Sequence, residues 1–225
     1  MTMSDFLAEL ERGAAADAQR ILAKLDATGP GARGLFIDCG SNLGQGFKQF
    51  ARHYPLERFD YILIEPNPHC TEALKREAAR LLAGTPAQVQ LVQAAAGIRT
   101  GRVKFFGLEQ NPTSQGGSTL RDHNSRYYAP DDANAMEVAC FSLAALIRER
   151  SATYGVTVLK LDIEGGEYEV LPHLISEGAH KLLDAAYIEF HSQYMVEPHG
   201  TRYRLAEAGI RARLAHDGLP FRIWI

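Results

Sequence analysis

The chain has 225 residues, 46% of them hydrophobic, which is enough to bury one sizeable core and fits a single α/β domain. Its 24 basic and 27 acidic side chains leave a net charge of -3, with no Lys/Arg run of the kind that tracks a phosphate backbone, so a nucleic-acid substrate is not expected. No stretch approaches the ~20 apolar residues that span a bilayer, the N-terminus lacks a basic region leading into an apolar one, and Cys39, Cys70 and Cys140 form no C-x-x-C pair; a soluble, cytoplasmic protein without disulfides or zinc knuckles is expected.

From residue 4 to about 26, Leu7, Leu10, Ala14, Ala18, Ile21 and Leu25 recur at steps of three and four, the mark of an amphipathic helix that Ser4 or Asp5 can cap. This helix offers a surface for packing or for a homo-oligomer. Residues 28–34 are rich in Gly and Pro and break the pattern. The chain then divides into an N-terminal helical extension, 1–29, and a core, 30–225, within one domain.

Short apolar runs follow at 35–37, 61–64, 89–92, 158–161 and 185–188, with segments suited to crossover helices between the first three and between the last two. Strands buried on both faces read as such continuous runs, so the alternation predicts a mostly parallel, doubly wound α/β sheet. Residues 102–106 and 136–140 alternate polar and apolar side chains and are expected to be edge strands or extended connections. Between them, 107–135 lacks hydrophobic periodicity but carries Arg121, His123, Arg126, Tyr127 and Tyr128, which suits a loop that closes over a ligand. A helix around 203–216, a turn at Asp217 and Gly218, and a last strand at 221–225 complete the chain.

The first strand runs into Asp38-Cys39-Gly40-Ser41-Asn42-Leu43-Gly44-Gln45-Gly46. Its glycines permit a tight turn that a ligand can approach closely. An acidic side chain at the strand end would repel a pyrophosphate, whereas S-adenosylmethionine (SAM) has no phosphate and carries an amino group that Asp38 can favour. Glu65 closes the second strand, 27 residues later, where a carboxylate can accept hydrogen bonds from both ribose hydroxyls.

Lys160, Asp162 and Glu164 occupy alternate positions at the end of the fourth run and point to one side if strand geometry persists. Ligands bind beyond the carboxyl ends of strands in open α/β sheets, so Asp162 and Glu164 should share a cleft with Asp38 and Glu65. Glu167 falls in the first turn of the next helix, where negative charge suits the dipole. His191, at the end of the fifth run, titrates near neutrality in its unperturbed state and is the first candidate for a general base, with Asp162 the second. Asp162, Glu164, Glu189 and His191 have donor types that suit a divalent metal, but their spacing matches no defined metal motif, so a metal-free site is expected.

Residues 36–44, Ile64-Glu65-Pro66-Asn67, the K-x-D-x-E-G-x-E run from Lys160 to Glu167, and Ile188-Glu189-Phe190-His191 together resemble the FkbM-type methyltransferase family. Ala95, Gly97 and residues 116–118 fit the same pattern. The resemblance implies a Rossmann-like class I methyltransferase fold and SAM-dependent transfer of a methyl group to a hydroxyl of a sugar or secondary metabolite. It implies SAM contacts from Asp38, Gly40, Ser41, Asn42, Gly44, Glu65, Asn67 and Gln93 or Ala95, and a reaction centre lined by Lys160, Asp162, Glu164 and His191. The N-terminal helix lies outside the likeness, and no further strand follows 221–225, so a shortened C-terminal sheet edge is expected. The rival readings are a NAD-dependent oxidoreductase, against which the acid at Asp38 and the missing G-x-G-x-x-G count, and a non-catalytic SAM-binding partner subunit.

Overall fold

Every apolar run expected to form a strand does so in the computed structural model, which describes residues 3–108, 113, 116–121, 123, 132–195 and 199–224, with side chains from residue 8 onward. In chain order the elements are α1 (Met3–Ala27), β1 (Gly34–Cys39), α2 (Gln45–Phe50), β2 (Phe59–Ile64), α3 (Thr71–Leu82), β3 (Val89–Val92), β4 (Ala95–Gly97), β5 (Gly101–Phe105), β6 (Met136–Ser142), α4 (Leu143–Ser151), β7 (Val156–Leu161), α5 (Glu167–Ser176), β8 (Ala185–Ile188), α6 (His199–His216) and β9 (Phe221–Ile223). Six strands form one sheet in the order β3-β2-β1-β7-β8-β9, and all neighbours are parallel. The doubly wound α/β fold expected from the sequence is the one observed.

Side chains alternate across the sheet and so divide the core in two. Leu35, Ile37, Ile62, Leu159, Leu161 and Ile188 face α4, α5 and α6. Phe36, Tyr61, Leu63, Val158 and Tyr187 face α1, α2 and α3. Ala14, Ala18, Ile21 and Leu25 of α1 are buried in this second layer, so the apolar stripe of the N-terminal helix packs on the sheet of its own chain. The helix begins by Met3, which puts Ser4 and Asp5 inside its first turn rather than at its cap.

The two alternating segments are not edges of the main sheet, as the sequence reading allowed. They become β5 and β6, an antiparallel pair that β4 joins to make a separate three-stranded sheet, β4-β6-β5. Chain geometry explains this: β4 follows β3 after only two residues, and β5 buries little more than Phe105, so the segment leaves the main sheet and forms its own. Phe106 and Ser118 bridge next to this sheet. Arg126, Tyr127 and Tyr128, expected to close over a ligand, lie outside the described residues. Among the described residues no helix is long and apolar enough to cross a membrane.

Candidate active site

The strand order reverses at β1: the chain leaves it toward β2 on one side, while β7 pairs on the other. Such a switch point opens a crevice between the carboxyl ends of the two strands. A cavity of about 360 Å³ lies there, within the size range of small-molecule sites. It is walled by the turn after β1, the ends of β2, β7 and β8, the second sheet and Trp224.

Steric demands shape the turn. Gly40 has φ +79°, and a Cβ at this position would stand 1.7 Å from the Asp162 carbonyl oxygen, so only glycine lets the ends of β1 and β7 meet. Asn42 takes φ +44°, which asparagine tolerates better than most residues, and Gly44 takes φ +94° to enter α2. Ser41 staples the turn to its neighbours: its Oγ donates to the Asp38 carbonyl at 2.9 Å and accepts from the Ile64 amide at 3.1 Å.

Glu65 lines the cavity beside this turn although it is largely buried. The Asn42 amide donates to its Oε2 at 2.8 Å and the Asn67 amide to its Oε1 at 2.9 Å. Each oxygen therefore has one lone pair fixed by backbone and another to offer. Burial pushes this carboxyl up to about 7, against the lowering effect of the two amides and of Lys160. Asn67 also accepts from the His69 amide at 3.0 Å and caps the short 3₁₀ turn after β2.

Register sets the cavity floor. Asp38 and Lys160 are directly paired across β1 and β7, on the face that also carries Phe36 and Val158. The Lys160 ammonium lies 3.2 Å from Asp38, 3.1 Å from Asp162 and 3.0 Å from the Gly40 carbonyl. Burial disfavours its charge, but Asp162 and Asp38 outweigh that effect and Lys160 keeps its proton. Asp38 is completely buried beneath this ammonium and does not line the cavity.

Strand geometry stops at Leu161, and Glu164 adopts φ +53°. This left-handed residue, not continued alternation, returns its carboxylate to the side of Asp162. Both line the cavity with Glu189. His191 stands behind them: its Nε2 is 3.4 Å from Glu164, 3.6 Å from Glu189 and 3.8 Å from Asp162. Its ring Nδ1 and its backbone amide both contact Oε1 of Glu167 at 2.9 Å. Glu167 opens α5 as expected, but it is fully buried and its carboxylate is spent on His191 and on the Gly165 amide rather than displayed to the helix dipole. His123 adds its Nε2 at 3.2 Å from Glu164. Donor atoms of Asp162, Glu164 and His191 lie within 4.8 Å of one another, close enough to share a metal ion.

This environment changes the role expected of His191. Burial would lower its pKa, but the charge and hydrogen bond of Glu167, with Glu164 and Asp162 beyond, push it up to about 10. A ring that holds its proton at neutral pH is a poor acceptor for another. Glu189, by contrast, is pushed up to about 7 by burial and the charge of Asp162.

Of the residues expected at the site, Gly40, Ser41, Asn42, Glu65, Ala95, Lys160, Asp162 and Glu164 line the cavity; Asp38, Gly44, Asn67, Gln93 and His191 sit behind it or beside it. Gln93 is exposed and accepts from the Thr71 hydroxyl at 3.2 Å. The sequence reading missed Gln45, Gln49, Phe105, Thr119 and Trp224. Gln45 and Gln49 are four apart on α2, a spacing that marks one helix face but no particular ligand.

A model of the methyltransferase FkbM domain matches residues 38–211. Among solved structures, the chain is similar to the methyltransferase FkbM from Methylobacillus flagellatus KT, at 18% identity and a TM-score of 0.40, over 65% of this chain and 29% of that one. The matched region thus spans less than a third of that longer protein. No match was found among curated proteins.

Proposed function

The chain belongs to the FkbM methyltransferase family, and from that premise we propose that it transfers a methyl group from SAM to the oxygen of a hydroxyl on a small-molecule acceptor, a sugar or secondary metabolite. Membership sets aside the nicotinamide-dependent oxidoreductase. The observation that carries the reading is the Glu65 carboxylate: lining the cavity, with each oxygen anchored by one backbone amide, it presents two acceptors suited to a ribose diol. The Gly40 turn beside it brings backbone close to the same space and offers no phosphate-binding glycine fingerprint. These residues fit SAM, with Glu65 on the ribose and the turn from Gly40 to Asn42 against the rest of the nucleoside.

When bound, SAM would supply an electrophilic methyl carbon on a sulfonium for transfer to the acceptor oxygen, with the thioether as leaving group. The chain's own residues have two tasks. Positioning the acceptor is the first, and correct placement alone removes up to about 7–11 kcal/mol of barrier in favourable intramolecular cases. Phe105 and Trp224 give apolar faces, while Asp162, Glu164 and Glu189 give hydrogen-bond acceptors, a mixture that suits a polyhydroxylated molecule. Accepting the hydroxyl proton is the second, and in this reading Glu189, which lines the cavity with Asp162, takes it.

Calorimetry with SAM and with NAD, followed by assay of S-adenosylhomocysteine release with a panel of sugars and phenols, tests the reading. The expected result is SAM binding and hydroxyl-dependent release. Binding of NAD in preference to SAM, or transfer only to amine or carbon acceptors, would overturn it.

A further inference from the structure

We propose that Asp162, Glu164 and His191 form a binding site for one divalent metal ion at the acceptor end of the cavity. Three donors reach one point from two adjacent strand ends, β7 and β8, with all three donor atoms within 4.8 Å of one another. Two of the three donors are held by a group on the far side. Lys160 occupies Oδ2 of Asp162 and leaves Oδ1 toward His191. Glu167 fixes Nδ1 of His191 and thereby aims Nε2 at the carboxylates, where a bound ion would take the place of the Nε2 proton. Glu164 differs, since its Oε2 faces both His191 and His123. A buried carboxylate behind one imidazole nitrogen, with the other nitrogen turned toward carboxylate oxygens, is how proteins orient histidine ligands for metals.

The spacing supports an ion better than direct contact. His191 is almost wholly buried, and the carboxylate oxygens facing its Nε2 stand at 3.4, 3.6 and 3.8 Å. Donors about 2.1 Å from a shared ion lie about 3.0–3.4 Å apart along the edges of an octahedron or tetrahedron, so the three side chains would draw together from within 4.8 Å to close the site. Four carboxylates, from Asp162, Glu164, Glu167 and Glu189, converge on this one imidazole, and a double positive charge offsets that excess. One nitrogen with carboxylate oxygens suits Mn²⁺ or Zn²⁺ better than a thiolate-seeking ion. A cation here adjoins the acceptor half of the cavity, where it would make a hydroxyl more acidic. That catalytic consequence rests on the methyl-transfer reading; the site itself does not.

The test uses the full chain freed of metal by chelation and gel filtration. Titration with MnCl₂, followed by calorimetry and by electron paramagnetic resonance, should show a single site and a nitrogen coupling in the echo-modulation spectrum. Glu164→Gln, which preserves shape, should weaken Mn²⁺ by at least about tenfold. His191→Gln should abolish the nitrogen coupling, and circular dichroism identifies a variant that has unfolded. Absence of Mn²⁺ and Zn²⁺ binding up to about 1 mM, or equal Mn²⁺ affinity in folded Glu164→Gln, overturns the site and leaves protonated His191 as the cation. Mn²⁺ binding without SAM binding would leave the site standing and defeat the methyl-transfer reading, so the two failures are separable.

Discussion

Titrating Glu65 should move nucleoside affinity and protein stability in opposite directions. In the folded protein this carboxyl sits at about 7, against an ordinary value of 4.5, because burial disfavours its charge more than the Asn42 and Asn67 amides favour it. Only the carboxylate accepts from both hydroxyls of a ribose while keeping both amides. It is about one-tenth ionised at pH 6 and about nine-tenths ionised at pH 8, so affinity should rise about tenfold over that interval. Adenosine is the better titrant, since it carries the diol and no group that titrates there. Stability without ligand runs the other way. A folded pKa above the unfolded one contributes stability that is complete below about 4.5 and is lost as pH rises through about 7, on the order of 3 kcal/mol in all. Glu65→Gln should flatten the affinity slope and reduce the stability slope, to which Glu189 and His191 add losses of the same sign. Calorimetry from pH 6 to 8 and urea denaturation from pH 4.5 to 8 supply the measurements. A flat adenosine profile in the wild-type chain, or an unchanged slope in Glu65→Gln, would refute the reasoning.

Lys160→Met should cost about 3–5 kcal/mol in urea denaturation, because Asp38 is left buried without its partner, and adding Asp38→Asn should recover much of that loss. Gly40→Ala should lower the melting temperature and abolish SAM binding together, since its Cβ cannot coexist with the Asp162 carbonyl; retained SAM affinity would contradict the close approach described. Glu189→Gln should reduce turnover by about a hundredfold with little change in SAM affinity, as measured by product release and calorimetry. Ile21→Ala, in a fully buried position of α1, should destabilise the chain by about 2–5 kcal/mol; a negligible loss would mean that the helix is an appendage rather than part of the core.

The main sheet was legible because parallel strands covered on both faces need unbroken apolar runs, and 185–188 emerged with its expected ends; 89–92 did too, as a half-buried edge strand with Gln90 exposed. The Gly40 turn and Glu65 were legible for a related reason: strand ends fix where a residue lies, and their chemistry then limits what it can meet. Local pattern fails where a partner is distant. Arg102 to Phe105 signals one-sided burial but not that β4 and β6 supply its sheet. Trp224 reaches the cavity only because β9 pairs with β8, and it is held there by Phe50, with ring centres 4.7 Å apart. The state of His191 was equally out of reach, since Glu167 lies 24 residues away and its charge decides whether the ring keeps a proton.

The Lys160 ammonium, gripping Asp38, Asp162 and the Gly40 carbonyl at once, divides the molecule into a part that can diversify and a part that cannot. A change at the end of β7 that enlarged the cavity there would disturb the Gly40 turn in the same step. Phe105 and Thr119 reach the cavity from outside the main sheet and carry no such double duty. New acceptors should therefore be gained by remodelling that covering layer, and libraries built at Phe105 and Thr119 should yield altered selectivity with donor affinity intact.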